Sequence, residues 1–229
     1  IFCLILTIFY GCSQDTSISK DLNINIKAYQ NLLIEKGIAA SNVVVLFKDG
    51  KEIVNSVVNS KNKKDMNIND NTIFPIWSLS KTVTGIGAMI LYEKGLINFE
   101  DPLSKYIPYF KNIKCKDKNK ENTYYCENQI TLLDLMTHRS GYPNNIDTYP
   151  ARDHKYKNLD DFVKDVSKYP VEFEPGTDYL YGAGYDILGR VIEVVSNQTF
   201  YEFLKENIFD PIGMENTKFH IDNDEREKF

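Results

Sequence analysis

Ser78, Leu79, Ser80 and Lys81 place a hydroxyl and an amine three residues apart. On a helix that spacing puts both side chains on one face, with the Lys81 amine beside the Ser78 hydroxyl. A serine hydroxyl becomes a nucleophile when a neighbouring base takes its proton, and a partly desolvated lysine has its pKa lowered toward that role. A helix start adds unpaired backbone N–H groups and the positive end of the dipole, which suit a developing oxyanion. The chemistry implied is acyl transfer through a serine ester. The spacing alone does not establish it, because Ser-x-x-Lys occurs three times in this chain, also at Ser17/Lys20 and Ser60/Lys63. Those two lie in a polar tether and a Lys-rich loop, where neither side chain would be held or desolvated. At Ser78 the competing reading is a serine that caps a helix and a solvated lysine.

Other residues invite chemistry less strongly. His138 with Asp134 suggests a Ser-His-Asp triad with Ser78, but Thr131 and Asp134 carry the spacing of a helix-start cap, which occupies the carboxylate otherwise. Gly85 and Gly87 lack the Gly-Lys-Ser/Thr that completes a phosphate loop, and helix packing is the simpler reason for small residues there. Cys115 and Cys126 flank a polar stretch, Lys116 to Tyr125, that reads as a surface loop. They lack Cys-x-x-Cys spacing and a nearby His, so zinc is not expected; in an oxidising compartment they can form a disulfide at the base of that loop. Neither a metal nor an organic cofactor is expected.

These residues need elements to hold them. Apolar Ile24, Ile26, Tyr29, Leu32 and Leu33 recur at near-helical spacing between Asp21 and Gly37, which predicts a first helix. Asn42 to Lys48 and Glu52 to Val58 read as two antiparallel strands joined by the turn signal Asp49-Gly50. Asn59 to Asn71 is a loop, and the chain from Ser78 to Gly95 reads as an apolar helix. Asp160 to Val166, Tyr185 to Val195 and Phe200 to Ile208 are apolar at helical spacing and read as core helices.

Composition sets outer bounds. The 229 residues are 42% hydrophobic with a net charge of −5, enough for a packed core and without the basic surface that would neutralise a phosphate backbone. No nucleic-acid partner is expected; the lysines between Lys61 and Lys64 read as a solvated loop. Ile1 to Tyr10 is almost wholly apolar and runs into Gly11-Cys12 before the chain turns polar at Ser13. Residues 1–12 therefore read as part of a signal peptide with a lipobox, and 13–20 as a tether. The expected location is the exported bacterial cell envelope, with Cys12 lipidated and anchoring the protein to a membrane, or else the leader cleaved and the protein periplasmic or secreted.

Five segments in order resemble one family, the β-lactamase and penicillin-binding-protein superfamily of serine enzymes, in its class C β-lactamase-related branch. They are Phe74 to Thr82, Glu93 to Pro108, Ile130 to Gly141 with its Thr-His-Arg-Ser-Gly ending, Glu174 to Gly189, and Ile208 to Thr217. The branch includes esterases and D-alanyl-D-alanine peptidases as well as β-lactamases. The resemblance implies Ser78 as the acylated nucleophile, Lys81 as proton acceptor or relay, and Tyr181 as the second base that serves the leaving group. It implies a structural His138. Where the family commonly has Tyr-x-Asn, this chain has Tyr181-Gly182-Ala183, which favours an esterase-like or peptidase-like hydrolase over a true β-lactamase.

The fold implied is α/β (α+β): an antiparallel sheet flanked by helices, with a large mostly helical region over 59–217 and residues 21–58 as the first helix and strands of the sheet domain. Further strands and a third active-site motif are expected beyond Phe229, so the chain is expected to be a piece of a longer protein, cut at both ends, and inactive by itself. The function implied is hydrolysis of a small ester, amide or peptide through a Ser-Lys-Tyr acyl-enzyme. The alternative is a non-hydrolytic penicillin-binding or sensing module of the same fold.

Overall fold

The computed structural model describes residues 20–119, 121–144 and 156–220; the leader, Cys12 and most of the tether lie outside them. The chain divides into two compact units, the first ending at Phe74 and the second spanning Pro75–Ile221. Among the described residues no helix is long and apolar enough to cross a membrane.

The first unit holds helix α1 (20–35) and a hairpin of β1 (Asn42–Lys48) and β2 (Lys51–Val58). Gly37, at φ +66°, closes α1: its N–H bonds the Ile34 carbonyl and the Ile38 N–H reaches Leu33, so the last helical carbonyls are satisfied. Asp49 and Gly50 both adopt positive φ, 50° and 72°, the two-residue turn whose twist matches that of the flanking strands. Gln30 ties helix to hairpin. It is 1% exposed, receives a 2.6 Å hydrogen bond from the Ser56 hydroxyl and donates to the Ser56 and Asn42 carbonyls. A buried amide so satisfied fixes one helix orientation on the sheet.

The second unit is mostly helical. A 3₁₀ turn (Trp77–Leu79) leads into α2 (Ser80–Glu93); α3 (Leu132–Met136), α4 (Leu159–Val166), α5 (Gly184–Ser196) and α6 (Phe200–Leu204) follow, the last continuing as one π turn, Lys205–Phe209. Helix α5 is the axis of the core, with Ile187, Leu188, Val191 and Ile192 fully buried, and α2, α3, α4 and α6 all pack against it. Its apolar stripe accounts for that position. Gly87 lets α2 approach, since a Cβ there would stand 3.0 Å from Leu204 and 3.2 Å from Ile192 side-chain carbons. Thr131 and Asp134 form the reciprocal cap of α3, as their spacing predicted, and Thr199 and Glu202 do the same for α6.

Two expectations are corrected here. The helix expected to start at Ser78 starts at Ser80, with Ser78 in the 3₁₀ turn before it. The stretch expected to be a surface loop is largely a short hairpin, β3 (Lys114–Lys116) with β4 (Thr123–Tyr125). Three-residue strands are too short to show an alternation in sequence. The Cys115–Cys126 disulfide closes this hairpin, and β3 also exchanges backbone hydrogen bonds with Val171, while Lys116 pairs with Glu172 at 2.5 Å. The hairpin thereby braces the segment that leads toward Tyr181. The antiparallel sheet among the described residues thus amounts to two separate two-stranded pieces.

Two glycines should respond in opposite directions. A Cβ on Gly184 would lie 2.5 Å from the Leu135 carbonyl oxygen, a backbone atom that cannot yield, so Gly184→Ala should destabilise by about 2 kcal/mol or more. A Cβ on Gly85 meets nothing closer than 3.8 Å, and Gly85→Ala inside α2 should stabilise by roughly 0.5–1 kcal/mol. Urea-unfolding midpoints of the two variants give the comparison. Loss of the disulfide through Cys115→Ala with Cys126→Ala should cost roughly 3 kcal/mol by chain entropy for so short a loop, and a non-reducing midpoint equal to wild type would refute it.

Candidate active site

Trp77 opens the site. It has φ +46° and its indole is 81% exposed, a conformation a bulky residue adopts only when its surroundings impose it. The Ser80 hydroxyl bonds the Trp77 carbonyl at 2.5 Å and the Leu79 N–H bonds Ile76 at 3.0 Å, which closes the turn around Ser78. Ser78 is exposed, while Lys81, in the first turn of α2, is half-buried.

Tyr181 arrives from the other end of the unit, three residues before α5. Its hydroxyl and the Ser78 hydroxyl share a hydrogen bond of 2.7 Å, and the Lys81 Nζ stands 4.9 Å from the centre of its ring. The structure thus brings together the three residues singled out in sequence, Ser78, Lys81 and Tyr181. Hydrogen bonding to Lys81, and then to Ser78, holds the Tyr181 phenol below its ordinary value; a cation beside a phenolate favours the charged form. Tyr185, by contrast, is pushed up by burial and donates to the Met136 carbonyl at 3.0 Å.

His138 lies in this site but not in a triad. The Asp134 carboxylate accepts hydrogen bonds from the Thr131 N–H and hydroxyl, and the His138 Nδ1 accepts from the Gly182 N–H at 3.5 Å. The His138 ring packs against those of Tyr181, Tyr185 and Tyr179, at centroid distances of 4.5, 5.4 and 5.9 Å. Burial, and then the Lys81 charge, hold its pKa below the usual histidine value. The segment carrying Tyr181 is also pinned from behind: a Cβ on Gly182 would fall inside the Tyr142 carbonyl oxygen. Ala183 is fully buried at the N-cap of α5 and offers no polar group.

Two features of the site escaped the sequence reading. The positive φ of Trp77 leaves no signature, since no glycine marks it. The bond from Gly182 to His138 spans 44 residues and exists only in three dimensions. Cys115, Cys126 and Glu174 approach one another closely enough to suggest a metal site. Both sulfurs are in the disulfide, however, and the Glu174 carboxylate accepts the backbone N–H groups of Glu127 and Asn128.

The arrangement can support acyl transfer. A phenolate 2.7 Å from a serine hydroxyl is in position to take its proton, and an amine beside both can stabilise that phenolate.

Comparison with known proteins gives the family. The family model described as "Beta-lactamase" matches residues 30–229. The chain is 35% identical over 152 residues to the teichoic acid D-alanine hydrolase of Staphylococcus aureus, covering 66% of this chain and 33% of the relative. The crystal structure of FmtA from Staphylococcus aureus superimposes with a TM-score of 0.62 at 29% identity, over 80% of this chain and 48% of that one. A class C β-lactamase in complex with cefoxitin superimposes with a TM-score of 0.71 at 18% identity, over 93% and 55%, which shows the shared β-lactamase/transpeptidase-like fold. The chain spans about a third of the length of the curated relatives it matches. With the match running through nearly the whole of the described chain, this protein belongs to the Beta-lactamase family.

Proposed function

We propose that the protein containing this chain is a serine hydrolase working through a Ser78–Lys81–Tyr181 acyl-enzyme on a small ester or amide. The observation that carries the proposal is the 2.7 Å hydrogen bond between Ser78 and Tyr181, with Lys81 beside the phenol. Ser78 Oγ attacks the substrate carbonyl carbon and its proton passes to the Tyr181 phenolate. The tetrahedral intermediate collapses, the Tyr181 proton goes to the departing alcohol or amine, and the acyl group remains on Ser78. Water then attacks the acyl-enzyme, giving one proton to Tyr181 and its oxygen to the product acid. The same proton returns to Ser78 as it leaves. Lys81 supports the phenolate through each step by charge and hydrogen bonding.

The substrate class is an ester ahead of a β-lactam. Ala183 leaves the position after Gly182 without the amide that would engage a β-lactam side chain, and the relative of 35% identity is named for hydrolysis of teichoic acid D-alanine. D-alanyl esters are therefore the first substrates to try. An exported, cell-envelope location fits the disulfide and the apolar leader, with lipidation at Cys12 as its anchoring step.

Intact mass of the full-length protein after exposure to a reactive penicillin and to a p-nitrophenyl ester tests the nucleophile. An adduct that forms on wild type and is absent from Ser78→Ala, with product released from the ester, is expected. An adduct that persists without release would mark the non-hydrolytic binding module instead, and no adduct at all would remove Ser78 from the mechanism. Tyr181→Phe should lower turnover by about 10²–10⁴-fold, the usual contribution of a positioned base.

The pH dependence follows from the lowered Tyr181 pKa. Since the deprotonated phenol is the working form, turnover should rise with pH and level off at a midpoint below 10. Lys81→Met removes the main cause of the lowering, so its midpoint should move upward. A midpoint unchanged by that substitution would separate Lys81 from the base.

A further inference from the structure

We propose that His138 is the positioning residue for the Tyr181 base: a neutral imidazole that clamps the backbone on both sides of Tyr181 and releases that clamp when it is protonated. The inference rests on the reading of Tyr181 as the base and adds to it the device that holds the phenol on Ser78.

The clamp has two arms. The Leu180 N–H bonds the His138 carbonyl at 2.9 Å, and the Gly182 N–H bonds its Nδ1 at 3.5 Å. One residue therefore receives the hydrogen bonds immediately before and immediately after Tyr181. Its ring also packs on the Tyr181 ring, tilted by 36° with centroids 4.5 Å apart. To present carbonyl and ring nitrogen to the same segment, His138 adopts φ +58°, a left-handed conformation in which His, Asn and Asp are enriched among non-glycine residues. Gly182 cannot retreat, because the Tyr142 carbonyl lies where a Cβ would be. The phenol is thus held from the ring side by His138 and from the backbone side by Tyr142.

The proton inventory sets the state of the clamp. An Nδ1 that accepts from Gly182 has no proton of its own, so the neutral ring carries its proton on Nε2. A second proton would put an N–H on Nδ1, facing the Gly182 N–H, and two donors cannot bond each other. Among the described residues, the titratable and charged groups recorded against the ring are Lys81 from α2, Tyr185 from α5, and Tyr179 and Tyr181 from the segment between. On its own segment, Asp134 is occupied by the α3 cap and Arg139 by the Gly176 carbonyl. No carboxylate among these is directed at the ring to stabilise an imidazolium, and Lys81 opposes one. This agrees with the downward shift at His138. Near neutral pH the clamp is closed.

The test uses the full-length protein and hydrolysis of p-nitrophenyl acetate, comparing His138→Ala with His138→Asn. Asn tolerates the left-handed backbone, and its Oδ1 occupies nearly the position of Nδ1 and accepts the same bond without titrating. His138→Ala should lose about 10–100-fold in kcat with KM little changed, the scale expected when a base is misplaced rather than removed. His138→Asn should recover most of that loss. In wild type the logarithm of kcat should fall with pH at slope one below the Tyr181 midpoint and steepen to slope two below the His138 pKa; in His138→Asn it should keep slope one. Two outcomes would overturn the clamp: wild-type kcat in His138→Ala, or His138→Asn folded by circular dichroism yet as slow as His138→Ala. A third readout does not depend on catalysis. ¹⁵N chemical shifts of His138 should show the Nε2–H tautomer, and an Nδ1–H tautomer would refute the clamp even if Ser78 and Tyr181 prove catalytic. Failure of the Ser78→Ala adduct test would instead remove the base reading while leaving the tautomer as measured.

Discussion

A hydrogen bond between two side chains 103 residues apart, Ser78 and Tyr181, holds only if both carriers are fixed to a fraction of an ångström. Neither carrier is a regular element. Ser78 sits in a 3₁₀ turn and Tyr181 in a connecting segment, so the precision must come from what each is attached to. The turn is continuous with α2, and the Tyr181 segment runs directly into α5. These two helices pack against one another through small residues on α2 and fully buried aliphatic residues on α5. Close-packed interiors resist displacement, and the site inherits its geometry from that contact.

Strain is concentrated where the chemistry is. Trp77 and His138 are two of the four non-glycine residues with positive φ among those described, and they flank Ser78 and Tyr181 respectively. The other two, Asp49 and Asn197, serve a hairpin turn and the end of α5. Each such conformation costs on the order of 1–2 kcal/mol outside glycine, and it persists only when neighbouring structure over-determines it. At Trp77 the constraint is the closed turn around Ser78. At His138 it is the pair of hydrogen bonds that its carbonyl accepts from the Leu180 N–H and its Nδ1 accepts from the Gly182 N–H.

Much of this arrangement was legible in the residues, for identifiable reasons. The Asp49-Gly50 turn, the Thr131–Asp134 cap and the packing role of Gly87 follow from local rules that tertiary context rarely overrides. The pairing of Ser78 with Lys81 was visible as spacing, and Tyr181 emerged only through resemblance, since nothing local distinguishes it among 15 tyrosines. The two-residue delay of α2 behind Ser78 was not visible, because a 3₁₀ turn and an α-helix start share the same residue preferences. Gln30 was missed as well. A polar residue on an amphipathic helix reads as solvent-facing until the Ser56 hydroxyl and carbonyl are seen to satisfy it.

Ser78, His138 and Asp134 are the residue types of a Ser-His-Asp triad, yet the fold assigns the histidine and the aspartate other work. A triad requires the carboxylate to orient the imidazole and the imidazole to reach the serine. Here the Asp134 carboxylate is spent on the start of α3, where it accepts hydrogen bonds from the Thr131 N–H and hydroxyl. Once that carboxylate is committed, no carboxylate among the described residues is hydrogen-bonded to His138; burial disfavours its charged form, and the proximity of Lys81 disfavours that form further. An imidazole so placed makes a poor proton acceptor and a good neutral hydrogen-bond acceptor. The same lysine lowers the pKa of the Tyr181 phenol as well, but there the charged form is an anion and is the form it favours. One cation therefore favours the ionised tyrosine and adds to the burial that keeps the histidine neutral, and the division of roles between the two rings follows from the sign of their charged forms.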